Sequence, residues 1–154
     1  MENQGMSLNS LKEVGNPSLF PYSSCGLLLM EFTIGIFIGT AFQISPYEIL
    51  SCAHNFYKRG YNQEARKVCY VPAANGFVDF EAMQGIRVSR FFYPLEFQDC
   101  KFEDKHKYEY AYGVLEQKCG AESYFKLMEP KEIAKGVGVE ICGYPYTKIK
   151  YTFN

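Results

Sequence analysis

The chain has 154 residues, enough to build one domain with a substantial core. Its 16 basic and 17 acidic residues leave a formal charge of −1, so the totals carry no electrostatic footprint for nucleic acid or for an anionic membrane surface. Aromatics make up 17%, with 13 Tyr, 13 Phe and no Trp, side chains that suit pleated, half-buried strands and favour an all-β protein.

Residues 1–21 read as a flexible N-terminal arm, polar and closing on Asn16-Pro17. The arm has no basic stretch ahead of an apolar core, so it does not read as a secretory signal, which favours a cytoplasmic setting with reduced thiols. From Gly26 to Phe42 the run GLLLMEFTIGIFIGTAF is apolar, yet it holds Glu31 in its interior and falls short of a bilayer span. It predicts two buried strands, Leu27 to Thr33 and Ile36 to Ile44, with Gly35 and Gly39 as the glycines available for a hairpin turn. Further strands are expected at Ile49 to Cys52, Lys67 to Tyr70, Gly85 to Phe92 and Tyr110 to Glu116, a rhythm that suits a small barrel. Helical signals are limited to Ala53 to Tyr57 and Pro130 to Ala134. Past Gly120 a linker-like stretch leads to a fresh strand at Val137 to Cys142, then Gly143-Tyr144-Pro145 and an alternating end, Lys148 to Asn154. The expected organisation is therefore an arm (1–21), a β-barrel (22–120) and a linker with the start of a second unit (121–154).

Six cysteines (Cys25, Cys52, Cys69, Cys100, Cys119, Cys142) show neither Cys-x-x-Cys nor a paired ligand spacing, so no metal site and no cofactor is expected from them. Reduced, they serve as small buried apolar side chains; oxidised, they would allow disulfides. Cys52 lies two residues from His54 on one strand, which sets their side chains parallel and argues against a thiolate–imidazole dyad. His106 falls in the charged run Lys101 to Lys107 and reads as a solvated loop residue.

His54 is the residue that carries chemistry. It ends the run Ile49-Leu50-Ser51-Cys52-Ala53-His54, preceded by Gly39-Thr40-Ala41-Phe42-Gln43-Ile44-Ser45, and an imidazole delivered at the end of a buried strand can serve as a general base. The two runs, with Tyr112-Gly113-Val114-Leu115-Glu116 and Gly143-Tyr144-Pro145, resemble the trypsin-like serine peptidases, and look closest to their glutamyl-endopeptidase-like branch.

That resemblance implies a chymotrypsin-like six-stranded antiparallel barrel with only the first strands of a second barrel. It implies a site in which histidine and aspartate come from the first barrel and the nucleophilic serine from the second, with a polypeptide substrate between them. His54 takes the general-base position. Ala111 stands where the resemblance places the triad aspartate, and an alanine cannot orient an imidazole; even the amide in that place costs about 10⁴ in turnover. Glu109, two residues earlier on the same strand face, is a candidate substitute carboxylate, while the favoured reading makes it an ordinary surface charge like Glu103, Asp104 and Lys107. No Gly-x-Ser-Gly turn occurs, and the one serine after Gly120, Ser123, lacks flanking glycines. The expectation is a serine endopeptidase relative, truncated before its nucleophile and inactive alone. The alternative is a pseudopeptidase acting as a binding or scaffold subunit, with exposed aromatics such as Phe91, Phe92 and Tyr93 as contacts. Either way an apolar barrel face left open would promote oligomers. Expected partners are a polypeptide substrate or a protein, with neither nucleic acid nor membrane.

Overall fold

The computed structural model describes residues 12–76, 78–120, 122–129, 136, 138 and 140–145. Among these, strands run at β1 (Cys25–Phe32), β2 (Gly35–Ser45), β3 (Glu48–Ser51), β4 (Tyr57–Lys58), β5 (Gln63–Glu64), β6 (Lys67–Pro72), β7 (Ile86–Phe92) and β8 (Ala111–Leu115). Six of them close into an antiparallel barrel in the order β1-β2-β3-β8-β7-β6, while β4 and β5 form a separate two-stranded ribbon. A short helix, α1 (Glu96–Asp99), and 3-10 segments at Ala53–Asn55, Arg59–Tyr61 and Phe102–Lys107 fill the connections. Closure removes the free strand edges that an open sheet of this size would expose.

The apolar run of β1 is explained by burial on both of its faces. Leu28, Met30 and Phe32 point into the barrel with Ala41, Ile49, Val68, Tyr70, Val88, Ala111 and Leu115. Leu27 and Leu29 point outward into a second cluster with Cys69, Val78 and Met83, covered further by Tyr144. A strand buried on both sides loses the alternation that a half-exposed strand shows, so it reads as an uninterrupted apolar run. Among the described residues no helix is long and apolar enough to cross a membrane.

Every expected barrel strand is present, with ends shifted by one or two residues. The hairpin turn between β1 and β2 is made by Thr33 and Ile34, next to Gly35 at φ +135°. Gly39 is not part of a turn: it sits inside β2 opposite Leu28, where Asn55 occupies the space its side chain would need. Gly26 serves a similar purpose, since a Cβ there would meet the Tyr70 ring at 2.1 Å. The expected helical signal after His54 is a single 3-10 turn, and the charged run near His106 is a 3-10 segment in which His106 Nδ1 lies 3.0 Å from Glu103 O. The β4–β5 ribbon and α1 carry no periodic sequence signal, because each spans barely one repeat of its pattern.

Of the residues after Gly120, those described form no strand, and Ser123, Phe125 and Tyr144 are hydrogen-bonded to the barrel side. The Phe125 N–H donates to Gln43 O at 3.0 Å, Ser24 Oγ donates to Ser123 O, and the Tyr144 N–H donates to Thr40 Oγ1 at 2.9 Å. In the expected strand Val137 to Cys142, residues 138 and 140–142 have no strand pairing, while Val137 and Val139, like Pro130 to Ala134 and Lys148 to Asn154, lie outside the described residues. The six cysteines are all free thiols.

Candidate active site

His54 owes its position to a small buried network. β3 ends at Ser51, Cys52 stays extended, and a 3-10 turn follows in which the Asn55 N–H donates to Cys52 O at 3.1 Å and the Phe56 N–H to Ala53 O at 2.9 Å. Ala53 and Phe56 are fully buried and pin both sides of the turn. Asn55, 4% exposed, donates from Nδ2 to Ser51 Oγ at 2.8 Å, and Ser51 Oγ donates to Thr40 O at 2.7 Å. The Asn55 amide lies flat on Gly39, so the glycine of GTAFQIS clears room for the side chain that holds the turn of ILSCAH. With its neighbours fixed inside, the His54 ring projects outward, its side chain 48% exposed.

Glu109 meets it there. One carboxylate oxygen, Oε1, accepts the His54 backbone N–H at 2.9 Å and lies 2.9 Å from His54 Nδ1. The other, Oε2, lies 2.8 Å from the Lys105 ammonium. Burial alone would push the Glu109 carboxyl up, but the Lys105 ammonium and the two His54 contacts outweigh it and leave it below the usual carboxylate range. An ionised carboxylate only accepts, so Nδ1 must carry the ring proton and Nε2 presents its lone pair outward. The arrangement can take up a proton at Nε2 and stabilise the resulting imidazolium.

Glu109, expected as an ordinary surface charge, is a 20% exposed side chain with three donors around it. The reasoning that put it on the β8 face also changes, because β8 begins only at Ala111 and Glu109 lies in the irregular approach to it. Ala111 is 1% exposed, pairs with Ser51 and packs in the barrel interior. Strand pairing brings Ala111 beside the end of β3, and the stretch just before it carries Glu109 to His54. Lys105 escaped the sequence reading altogether; its place in a charged run gave no signal of a specific partner.

Cys52 Sγ lies within 4.8 Å of ligand atoms on both His54 and Glu109. Burial, followed by the Glu109 charge, pushes its thiol up, so it stays protonated and weakly nucleophilic. The Glu109 oxygens are already engaged by His54 and Lys105, and a cation would have to displace that ammonium. Of the aromatics expected as exposed contacts, only Phe92 is exposed, at 55%. Phe91 packs on Phe56 with ring centroids 4.9 Å apart, and Tyr93 is held by Glu64 at 2.6 Å.

No family model matches the chain, and no curated protein does. Among solved structures it is similar to Glu endopeptidase in complex with MPD, at a TM-score of 0.54 and 19% identity, over 69% of this chain and 45% of that one. It is also similar to the thermostable serine protease AL20 from an extremophilic microorganism, with TM-score 0.49, 18% identity and coverage of 61% and 43%. A third is the protease Anisep from Arthrobacter nicotinovorans, with TM-score 0.46, 13% identity and coverage of 65% and 44%. The first of these, with the closed six-stranded barrel, shows a trypsin-like, chymotrypsin-type barrel fold. The chain spans less than half the length of each of the three solved proteases.

Proposed function

We propose that this chain is a serine endopeptidase relative whose barrel, residues 22–120, supplies the base and the orienting carboxylate of a peptide-hydrolysing site, His54 and Glu109. The observation that carries the reading is the double engagement of Glu109 Oε1 by the His54 N–H and ring, both at 2.9 Å. A carboxylate held that way fixes both the tautomer and the direction of an imidazole, which is what a serine nucleophile requires of its base. The glutamate takes the role that the resemblance assigned to position 111. The solved proteins of similar fold are described as an endopeptidase and proteases, which supports a polypeptide as substrate. Residues 121–154 are assigned to a linker and the start of a second unit.

Among the described residues no serine hydroxyl is hydrogen-bonded to the His54 ring, and the sequence has no Gly-x-Ser-Gly turn. On this reading the chain by itself does not cleave peptides, for want of a nucleophile beside His54. Nitrogen chemical shifts of the neutral His54 ring test the pairing directly. The Nδ1–H tautomer is expected, and a dominant Nε2–H form would refute it. At the level of activity, peptide cleavage by a form that carries a nucleophile should vanish on His54→Ala.

Ala111, an alanine where the resemblance places the aspartate, favours one second reading, a pseudopeptidase acting as a binding or scaffold subunit. Exposed Phe92 and Tyr110 would then be contact residues. Robust cleavage by a longer form, abolished by His54→Ala, would rule it out.

A further inference from the structure

Away from His54, two cysteines far apart in sequence meet at the start of β1. Cys25 opens that strand, pairs with Phe42, accepts the Ala73 N–H on its carbonyl at 3.0 Å and is 5% exposed. Cys142 is half-buried, and no strand pairing holds the segment 140–145 around it. Contacts on either side of Cys142 dock that segment instead. Before it, Glu140 Oε1 accepts the Tyr22 hydroxyl at 2.6 Å. After it, the Tyr144 N–H donates to Thr40 Oγ1 at 2.9 Å, and Tyr144 packs on the cluster of Leu27, Leu29 and Cys69. Gly143 admits the close approach, since a Cβ there would lie 3.1 Å from Thr40 Oγ1. Tyr22 lies just before Cys25 in the chain and Thr40 pairs with Leu27 just after it, so the two anchors set Cys142 over one end of β1. There the Cys25 and Cys142 thiols come within side-chain hydrogen-bond reach of each other.

We propose that Cys25 and Cys142 are a redox-sensitive cross-linking site, whose disulfide ties the segment around Gly143-Tyr144-Pro145 to β1. Sulfurs at hydrogen-bonding separation must close by about 2 Å to reach the S–S bond length of about 2.05 Å, a movement that an unpaired segment supplies more easily than a strand. The oxidant is a low-molecular-weight disulfide of the glutathione class. The more accessible Cys142 reacts first: its thiolate attacks the oxidant, forming a mixed disulfide and expelling one thiolate. The Cys25 sulfur then attacks Cys142 Sγ and expels the second, so the protein loses two protons and two electrons while the oxidant leaves as two thiols. Burial first, and then Cys142, push the Cys25 thiol up to about 12, so few Cys25 thiolates are present and the second step is slow. That step is intramolecular and joins groups already in contact, which offsets part of the deficit. The link closes a loop of more than 100 residues, so it stabilises chiefly by restricting the unfolded chain. It is independent of the peptidase and scaffold readings alike.

The test equilibrates the dilute, folded chain with oxidised and reduced glutathione at about pH 8, traps free thiols by alkylation and maps the peptides by mass spectrometry without reduction. A peptide joining Cys25 to Cys142 is expected as the dominant disulfide. The melting temperature should rise by at least about 3 °C and fall back when dithiothreitol is added. In Cys142→Ser both the joined peptide and the rise should vanish. Should that variant fail to fold, the peptide map and the melting shift of the unaltered chain still decide. A glutathione adduct at Cys142 with Cys25 left free would overturn the proposal. So would pairing of either thiol with another cysteine or another chain, a rise smaller than about 3 °C, or a rise that persists in Cys142→Ser. None of these outcomes bears on the His54–Glu109 pairing, which stands or falls on the ring tautomer.

Discussion

A methyl group added at position 39 is the sharpest test of how this barrel presents its histidine. In Gly39→Ala the new Cβ would lie 2.7 Å from both Asn55 Nδ2 and Oδ1 and 2.8 Å from Cγ, distances that real Cβ atoms do not tolerate. Asn55 is 4% exposed and cannot swing into solvent without breaking its bond to Ser51 Oγ. Overpacking of this kind costs about 1–3 kcal/mol. A buried polar group stripped of its partner costs about 1–3 kcal/mol more. The expected loss is thus about 2–6 kcal/mol, which for a chain of this size lowers the melting temperature by about 4–24 °C. The assay is urea unfolding of four forms: the unaltered chain, Gly39→Ala, Asn55→Ala and the double variant. Because Asn55→Ala removes the atoms that the methyl would strike, the double variant should be more stable than the two single losses predict by at least about 1 kcal/mol. The amide resonance of His54 should shift in Gly39→Ala, since the displaced residue is its chain neighbour. A Gly39→Ala loss under about 0.5 kcal/mol, or a cycle additive within about 0.3 kcal/mol, would refute the account of GTAFQIS as the support for His54.

The Glu109 carboxyl is held below its ordinary value of 4.5, so its contribution to stability is complete above that value and is lost as pH falls through the lower folded one. Glu109→Gln should therefore lose about 1–2 kcal/mol near neutral pH and show a flatter acid limb in urea unfolding followed against pH; an unchanged limb would count against the pairing. Lys105→Met removes the ammonium 2.8 Å from Glu109 Oε2. It should cost about 0.5–1 kcal/mol and shift the carboxyl titration upward in carbon-detected NMR, with His54 still bonded to the remaining oxygen. The Cys25 thiol is pushed up to about 12, by burial first and then by the neighbouring Cys142. At about pH 8 iodoacetamide should modify Cys25 far more slowly in the folded chain than in denaturant, as peptide mapping would report, and equal rates would place that thiol at the surface.

Several features of this protein follow from local sequence because their causes are local. Alternation, or in β1 an uninterrupted apolar run, together with β-branched and aromatic residues and Gly and Asn breaks, is enough to specify six barrel strands, since each pattern lies within its own segment. The place of His54 is equally legible, because the small residues Ser51, Cys52 and Ala53 and the buried Phe56 compel a tight turn directly around it. The carboxylate partner is different. The resemblance pointed to Ala111, yet the pairing of Ser51 with Ala111 fixes only where two backbones meet. Which side chain then reaches His54 depends on the irregular approach to β8, set by the 3-10 segment Phe102–Lys107 and by the Lys105 ammonium at the far carboxylate oxygen. Gly39, similarly, passed for a turn residue until Asn55 was seen lying against it. Sequence by itself determined the strands and the exposed imidazole, whose forces act within a few residues. Tertiary structure decided the orienting carboxylate and the charge around it, because hydrogen bonds and Coulomb interactions depend on distances in space that only closure of the barrel sets.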